Sequence, residues 1–147
     1  MPLPLRENIY RARNLPRTDA VLMGRAELLR PEDRDLVEAV LIHSQPTAAV
    51  GRMMNVDPRA IRKRLHRLGR HMTSRRFLDA VRALPYLSEE KAELARLHFC
   101  QGMAQRQLAE RLGMSNHAIR RELDRVSAEI SAIGRMRHSV RAPVGRA

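Results

Sequence analysis

Two clusters of side chains in this sequence are of the types that grip polyanions and read hydrogen-bonding edges. The first is Arg59, Arg62, Lys63, His66, Arg67 and Arg70. On a helical wheel of about 100° per residue they share one broad face, with Ile61, Leu65, Leu68 and Met72 opposite. No acid occurs from Pro58 through Leu78, so eight Lys and Arg stand undiluted there, more than solubility requires. The second cluster is Gln105, Arg106, Ser115, Asn116, His117, Arg120, Arg121 and Arg125. Glu122 and Asp124 partly offset its charge, which makes it more selective than adhesive. Guanidinium and ammonium groups suit phosphate, as do Gln105 and Arg106 at the start of one helix. Asn116 and His117, near the start of the next, suit base edges. A solvated charged surface is the plainer alternative for both clusters.

These side chains need a frame, and the flanking apolar residues predict one. In QRQLAERLGMSNHAIRRELDRV, Leu108, Ala109 and Leu112 give a short helix an apolar face, and Gly113 stops it. Ser115 caps a second helix in which Ile119, Leu123, Val126 and Ile130 recur at helical spacing. Small Ala109 lets the two helices cross closely, which is helix-turn-helix logic: the outward side of the second helix is free to enter a DNA major groove. A similar pattern precedes it. Thr47 is expected to cap a helix carrying Val50 and Met54, Asn55 takes the turn, Asp57 caps and Pro58 opens the next helix. A shift of 58 residues carries Glu32, Leu36, Ala60, Ile61, Arg62, Leu65 and Arg67 onto Glu90, Leu94, Ala118, Ile119, Arg120, Leu123 and Arg125 without a gap. Val50, Met54 and Asn55 fall on Leu108, Leu112 and Gly113, as expected of one three-helix unit used twice.

The predicted organisation is all-α. A helical arm at 1–30 holds weak patterns at Leu5 to Arg13 and Thr18 to Leu29, and a first helix-turn-helix unit spans 31–72. A connector helix at 73–85, capped by Thr73 or Ser74 and ended by Pro85, leads to a second unit at 86–130. Neither unit has a wing. After Ile130 the pattern fades into a basic segment, 131–147, expected to be a disordered tail that adds solubility or general phosphate attraction.

At 147 residues with 28 Lys and Arg against 16 acids, the chain carries a net charge of +12, which implies a polyanionic partner. No apolar run approaches the roughly 20 residues needed to span a bilayer, and MPLPLRENIY lacks the core of a signal peptide. The expectation is a cytoplasmic, nucleoid-associated protein with no membrane partner. Lone Cys100, among Leu97, His98 and Phe99, reads as a buried thiol. His98 reads as a satisfied, half-buried side chain, since no Cys or His stands at a ligand spacing from it. No metal site, cofactor or small-molecule substrate is expected. Nor is an enzyme, because no carboxylate cluster, nucleophile with a base, or phosphate-cradling Gly loop is present.

From Arg82 to Val126 the chain resembles region four of the sigma-70 family, the module that reads the upstream promoter element, most of all in its extracytoplasmic-function branch. ALPYLSEEKAELARLHFCQGMAQRQLAERLGMSNHAIRREL is similar to that family's Leu-Pro start, acid-led helix, Gly before the turn pair, and recognition helix ending in Arg-x-x-Leu. AIRKRLHRL at 60–68 is similar to the same recognition helix, and the resemblance spans about 80 of 147 residues. It implies two tandem region-four-like modules on double-stranded DNA, with RNA polymerase as a further partner. There is a departure from the sigma plan. Region two grips melted bases on aromatic side chains, and this chain has two Phe, two Tyr and no Trp, so it is not expected to open promoters alone. Two functions follow as expectations: a sequence-specific DNA-binding transcription regulator, or an interaction protein that docks RNA polymerase or a sigma factor and uses one or neither unit on DNA.

Overall fold

Local chemistry sets where each helix begins and ends. Asp57 accepts a hydrogen bond from the Arg59 N–H at 2.8 Å, and Pro58 takes the first position of the helix Pro58–Met72. Ser115 accepts from the Ala118 N–H at 3.1 Å at the head of Asn116–Arg141. Ser74 accepts from the Phe77 N–H at 3.2 Å at the head of Arg75–Ala83. Asn55 and Gly113 both adopt left-handed backbone, with φ of 54° and 64°, ending the helices before them.

The computed structural model describes residues 24–141, and among these every regular element is helical, with no strand. The chain divides into two units between Thr73 and Ser74. The first contains α1 (Pro31–Val37), α2 (Thr47–Met54) and α3 (Pro58–Met72). The second contains α4 (Arg75–Ala83), α5 (Glu89–Ala95), α6 (Gln105–Leu112) and α7 (Asn116–Arg141). The 58-residue offset extends to details that composition does not reveal. Wide π-helical turns extend α1 over Glu38–Ile42 and α5 over Arg96–Cys100. Each is followed by a positive-φ residue, Ser44 and Gly102. The bond from the Gln45 N–H to the Ala39 carbonyl is repeated from Met103 to Leu97, both at 2.9 Å.

Matched apolar residues build two matched cores. In the first unit Leu36, Val37, Val50, Ile61, Leu68 and Met72 are buried, joined by Ala26 and Leu29 ahead of α1. In the second, Leu97, Leu108, Ala109, Ile119 and Leu123 form a cluster against which Met103 packs. Ile61 and Ile119 are 1% and 0% exposed, so each removes a whole side chain from water, worth about 1.5–3 kcal/mol.

Several expectations are corrected. The segment 73–85 is not a connector: α4 packs on α7 and on the 96–100 turn, and Phe77, Ala80 and Ala83 are fully or almost fully buried. It is an integral fourth helix of the second unit. The segment 131–141, expected as part of a disordered tail, continues α7, where Arg137 donates to the Arg82 carbonyl at 3.2 Å and so ties the helix extension to α4. Thr47 does not cap α2. Pro46 holds the extended cap position, and Thr47 is the first helical residue. Met54 and Leu112, assigned to apolar faces, are 40% and 41% exposed because each lies in the last turn before the corner, past the reach of its core. The expected arm lies mostly outside the described residues, as does the part of the expected tail at 142–147.

Gly51 occupies the position of Ala109. A Cβ built there would sit 2.6 Å from the Val56 carbonyl oxygen, whose residue is itself held by a 2.8 Å bond from its N–H to the Gly51 carbonyl. The obstacle is backbone rather than a flexible side chain. Gly51→Ala is therefore expected to destabilise the first unit by about 1–2 kcal/mol despite the roughly 1 kcal/mol gain in helix propensity. Ala109→Gly should lose that propensity and also the packing of one methyl group in the core cluster, about 1–2 kcal/mol in all. Urea denaturation of both variants checks these values.

Candidate nucleic-acid interface

On α3 the expected cationic face exists as a surface. Arg59, Arg62, Lys63, His66, Arg67 and Arg70 are all exposed, while Ile61, Leu68 and Met72 are buried and Leu65 is half-buried. Arg59, Lys63, Arg67 and Arg70 form no ion pair among the described residues. Arg62 donates to Thr47 Oγ1 at 3.4 Å, bridging α3 to the start of α2 while keeping its other N–H groups outward. The field of such a face is undiluted at its own helix, which favours a polyanion.

One cation of that stretch serves another purpose. Arg64 turns away and grips Asp33 on α1, with Nε 2.8 Å and Nη2 2.5 Å from Oδ1, while Arg30 holds Oδ2 at 3.0 Å. Asp33 is 4% exposed. A buried carboxylate needs such partners, so this pair anchors α3 to α1 and is lost to any ligand. The absence of local acids around Arg64 hid this, since its partner is 31 residues away.

On the second unit, Arg106, Ser115, Asn116, His117, Arg120, Arg121 and Arg125 are exposed and Gln105 is half-buried. Their roles divide. Ser115 is spent as a cap. Gln105 Nε2 donates to the Asn116 carbonyl at 3.0 Å, so the side chain expected to meet phosphate instead clips α6 to the head of α7. Gln107 reaches back to the Ala104 N–H at 3.1 Å and completes the start of α6. Arg125 pairs with Glu122 at 2.9 Å, and Arg106 lies 3.6 Å from Glu110 in a solvent-exposed pair of little energetic weight. Asn116, His117, Arg120 and Arg121 remain as an outward polar set at the head of α7.

Arg120 opens onto a groove of about 320 Å³ shared with Arg76, His98, Gln105 and Asp124. Arg76 lies over the Phe99 ring, 4.7 Å from its centroid, and donates to His98 Nε2 at 3.1 Å. His98 Nδ1 lies 2.8 Å from the Met103 carbonyl. A carbonyl oxygen only accepts and a guanidinium only donates, so in this arrangement Nδ1 donates to Met103 and Nε2 accepts from Arg76. His98 is thus satisfied, as its sequence context implied. Arg76, on the supposed connector, was not singled out from sequence.

Cys100 is wholly buried, and desolvation pushes its thiol up to about 11, opposed by the charge of Arg96. The folded state therefore keeps its proton through a window, from about 9 to 11, in which the unfolded chain loses it. Stability contributed by the neutral thiol is fully present below pH 9 and falls as pH rises through that window. At pH 8, iodoacetamide should modify the native chain about a hundredfold more slowly than the urea-unfolded chain, by mass spectrometry, because attack needs an exposed thiolate. Equal rates would contradict the burial. No described helix is long and apolar enough to cross a membrane. Comparisons with protein-family models, with curated proteins and with solved structures find no match to this chain.

Proposed function

We propose that this protein is a sequence-specific double-stranded DNA-binding transcription regulator in which α2–α3 and α6–α7 act as two sigma-region-four-like helix-turn-helix modules. The observation that carries the reading is the repeated corner. In both units a short helix, a left-handed residue and a side-chain cap precede a longer helix whose apolar side is buried and whose polar side is open. The open side is the part that enters a major groove in such modules. On α3 that side is a uniform run of cations, suited to phosphate and to affinity that does not depend on sequence. On α7 it mixes Asn116, His117, Arg120 and Arg121, suited to base edges and to discrimination. Two grips on one chain raise overall affinity through effective concentration.

Selection of bound sites from random duplex DNA tests the proposal. A recovered motif, with preference for duplex over single-stranded DNA and folded RNA in competition, is the expected result. Recovery of no motif, together with polymerase capture in a pull-down, would replace it with the docking function. The charge difference between the two units is the observation that favours testing that second function.

A further inference from the structure

The offset that aligns the two units exposes a difference in how each joins its first helix to the second helix of its corner. In the first unit Asp33 on α1 and Arg64 on α3 form the buried bridge described above, which ties those two helices together. The matched positions in the second unit are Lys91 and Glu122, the same pair with its charges exchanged. They do not join. Lys91 turns to Glu129 at 2.6 Å and Glu122 to Arg125 at 2.9 Å. Between α5 and the α6–α7 corner lies an open groove of about 670 Å³.

The groove has an apolar floor and an acidic rim. Leu94, Leu112 and Met114 line it; the last two are 41% and 37% exposed, although Leu112 is a residue the pattern of α6 assigns to the core. Glu89, Glu90, Glu93 and Glu122 also line it, against only Lys91 and Arg96. Both of those cations are taken up, by Glu129 and by Glu93 at 3.5 Å, so Glu89 and Glu90 present charge without an ion pair among the described residues. A net negative rim on a chain of net charge +12 repels nothing cationic locally and cannot serve DNA.

We propose that this groove of the second unit docks a positively charged amphipathic helix of a partner protein, with its apolar stripe on Leu112 and Met114 and its cations against Glu89 and Glu90. An apolar stripe with flanking charges is the usual way a helix seats in a groove, and the rim selects the sign of those charges. The inference needs only the second unit, and it stands whether or not the opposite side of α7 binds DNA.

A fluorescein-labelled model helix of Leu and Lys, titrated against the full chain by anisotropy, is the probe. A cationic peptide has little reason to bind a protein of this net charge except at a local acidic site. Saturable one-to-one binding is expected, weakened about tenfold by Leu112→Ser and by the double substitution Glu89→Lys, Glu90→Lys. A Leu/Gln peptide and a Lys peptide lacking Leu should each bind about tenfold more weakly. Both substitutions fall at exposed positions, so unchanged melting curves exclude loss of fold as the cause. Affinity indifferent to these substitutions, equal binding of the Leu/Gln peptide, or no saturable binding would overturn the proposal.

Discussion

Ile119→Asp leaves the second unit unfolded at room temperature. Ile119 is wholly buried among Leu97, Leu108, Ala109 and Leu123, so the substitution removes the packing of a large side chain, about 2–5 kcal/mol, and places a carboxylate where no donor awaits it. A unit of this size has about 5 kcal/mol to lose. Hydrogen-exchange protection across 74–141 is the measurement, since it reports this unit alone. Retained protection and an unchanged melting temperature would mean that the buried face of α7 has been misassigned. Ile61→Asp should do the same to the first unit, because the offset matches the two residues and both are buried.

Replacing Arg62 and Lys63 by Ala should weaken binding to every duplex, whatever its sequence. With about six to eight phosphate contacts, log affinity for the intact chain should fall against log salt with a slope of about -5 to -7. Two lost contacts flatten that slope by up to about two. At about 0.15 M salt each contact is worth roughly 0.75 log units, so the double variant binds about thirtyfold more weakly. Substituting His117 or Arg121 should act differently, costing about 1–3 kcal/mol on the best site and little on scrambled duplex, because a base-edge contact is lost rather than general attraction. Arg64→Ala is the internal control that the structure supplies. It removes a cation of the same helix, yet its effect should be a loss of stability of about 1–3 kcal/mol, because buried Asp33 keeps Arg30 on Oδ2 but loses the donors to Oδ1, with the salt slope nearly unchanged. Fluorescence anisotropy over a salt series, beside urea melts, separates these outcomes. An Arg64→Ala slope that flattens like that of the double variant would refute the division of roles on α3.

The features readable from sequence are those set by residues close together in the chain. Asp57 with Pro58, Ser74, Ser115, Asn55 and Gly113 act within a few residues of themselves, through caps and left-handed backbone, and helical spacing places Ile61 and Ile119 inward whatever packs against them. The 58-residue repeat belongs to the same class, because matched local chemistry gives matched local structure. The exposed basic face of α3 followed directly from its wheel.

Tertiary contact decided the rest. Whether Arg64 faces solvent or Asp33 depends on α1, distant in sequence, and no local rule distinguishes it from Arg62 or Arg67. Gln105 becomes a clip because the head of α7 comes within its reach. The helix at 75–83 has the same local signals whether it links two units or builds one, and only the burial of Phe77 against α7 and the 96–100 turn makes it part of a core. The segment beyond Ile130 is poor in apolar periodicity, yet a helix already running from Asn116 needs no new nucleation, and α4 offers Arg137 a carbonyl to bind. Leu112 and Lys91 are ordinary residues in sequence; the floor and rim of a groove exist only once α5 and the corner stand apart, because burial is a property of what surrounds a side chain and not of the side chain itself.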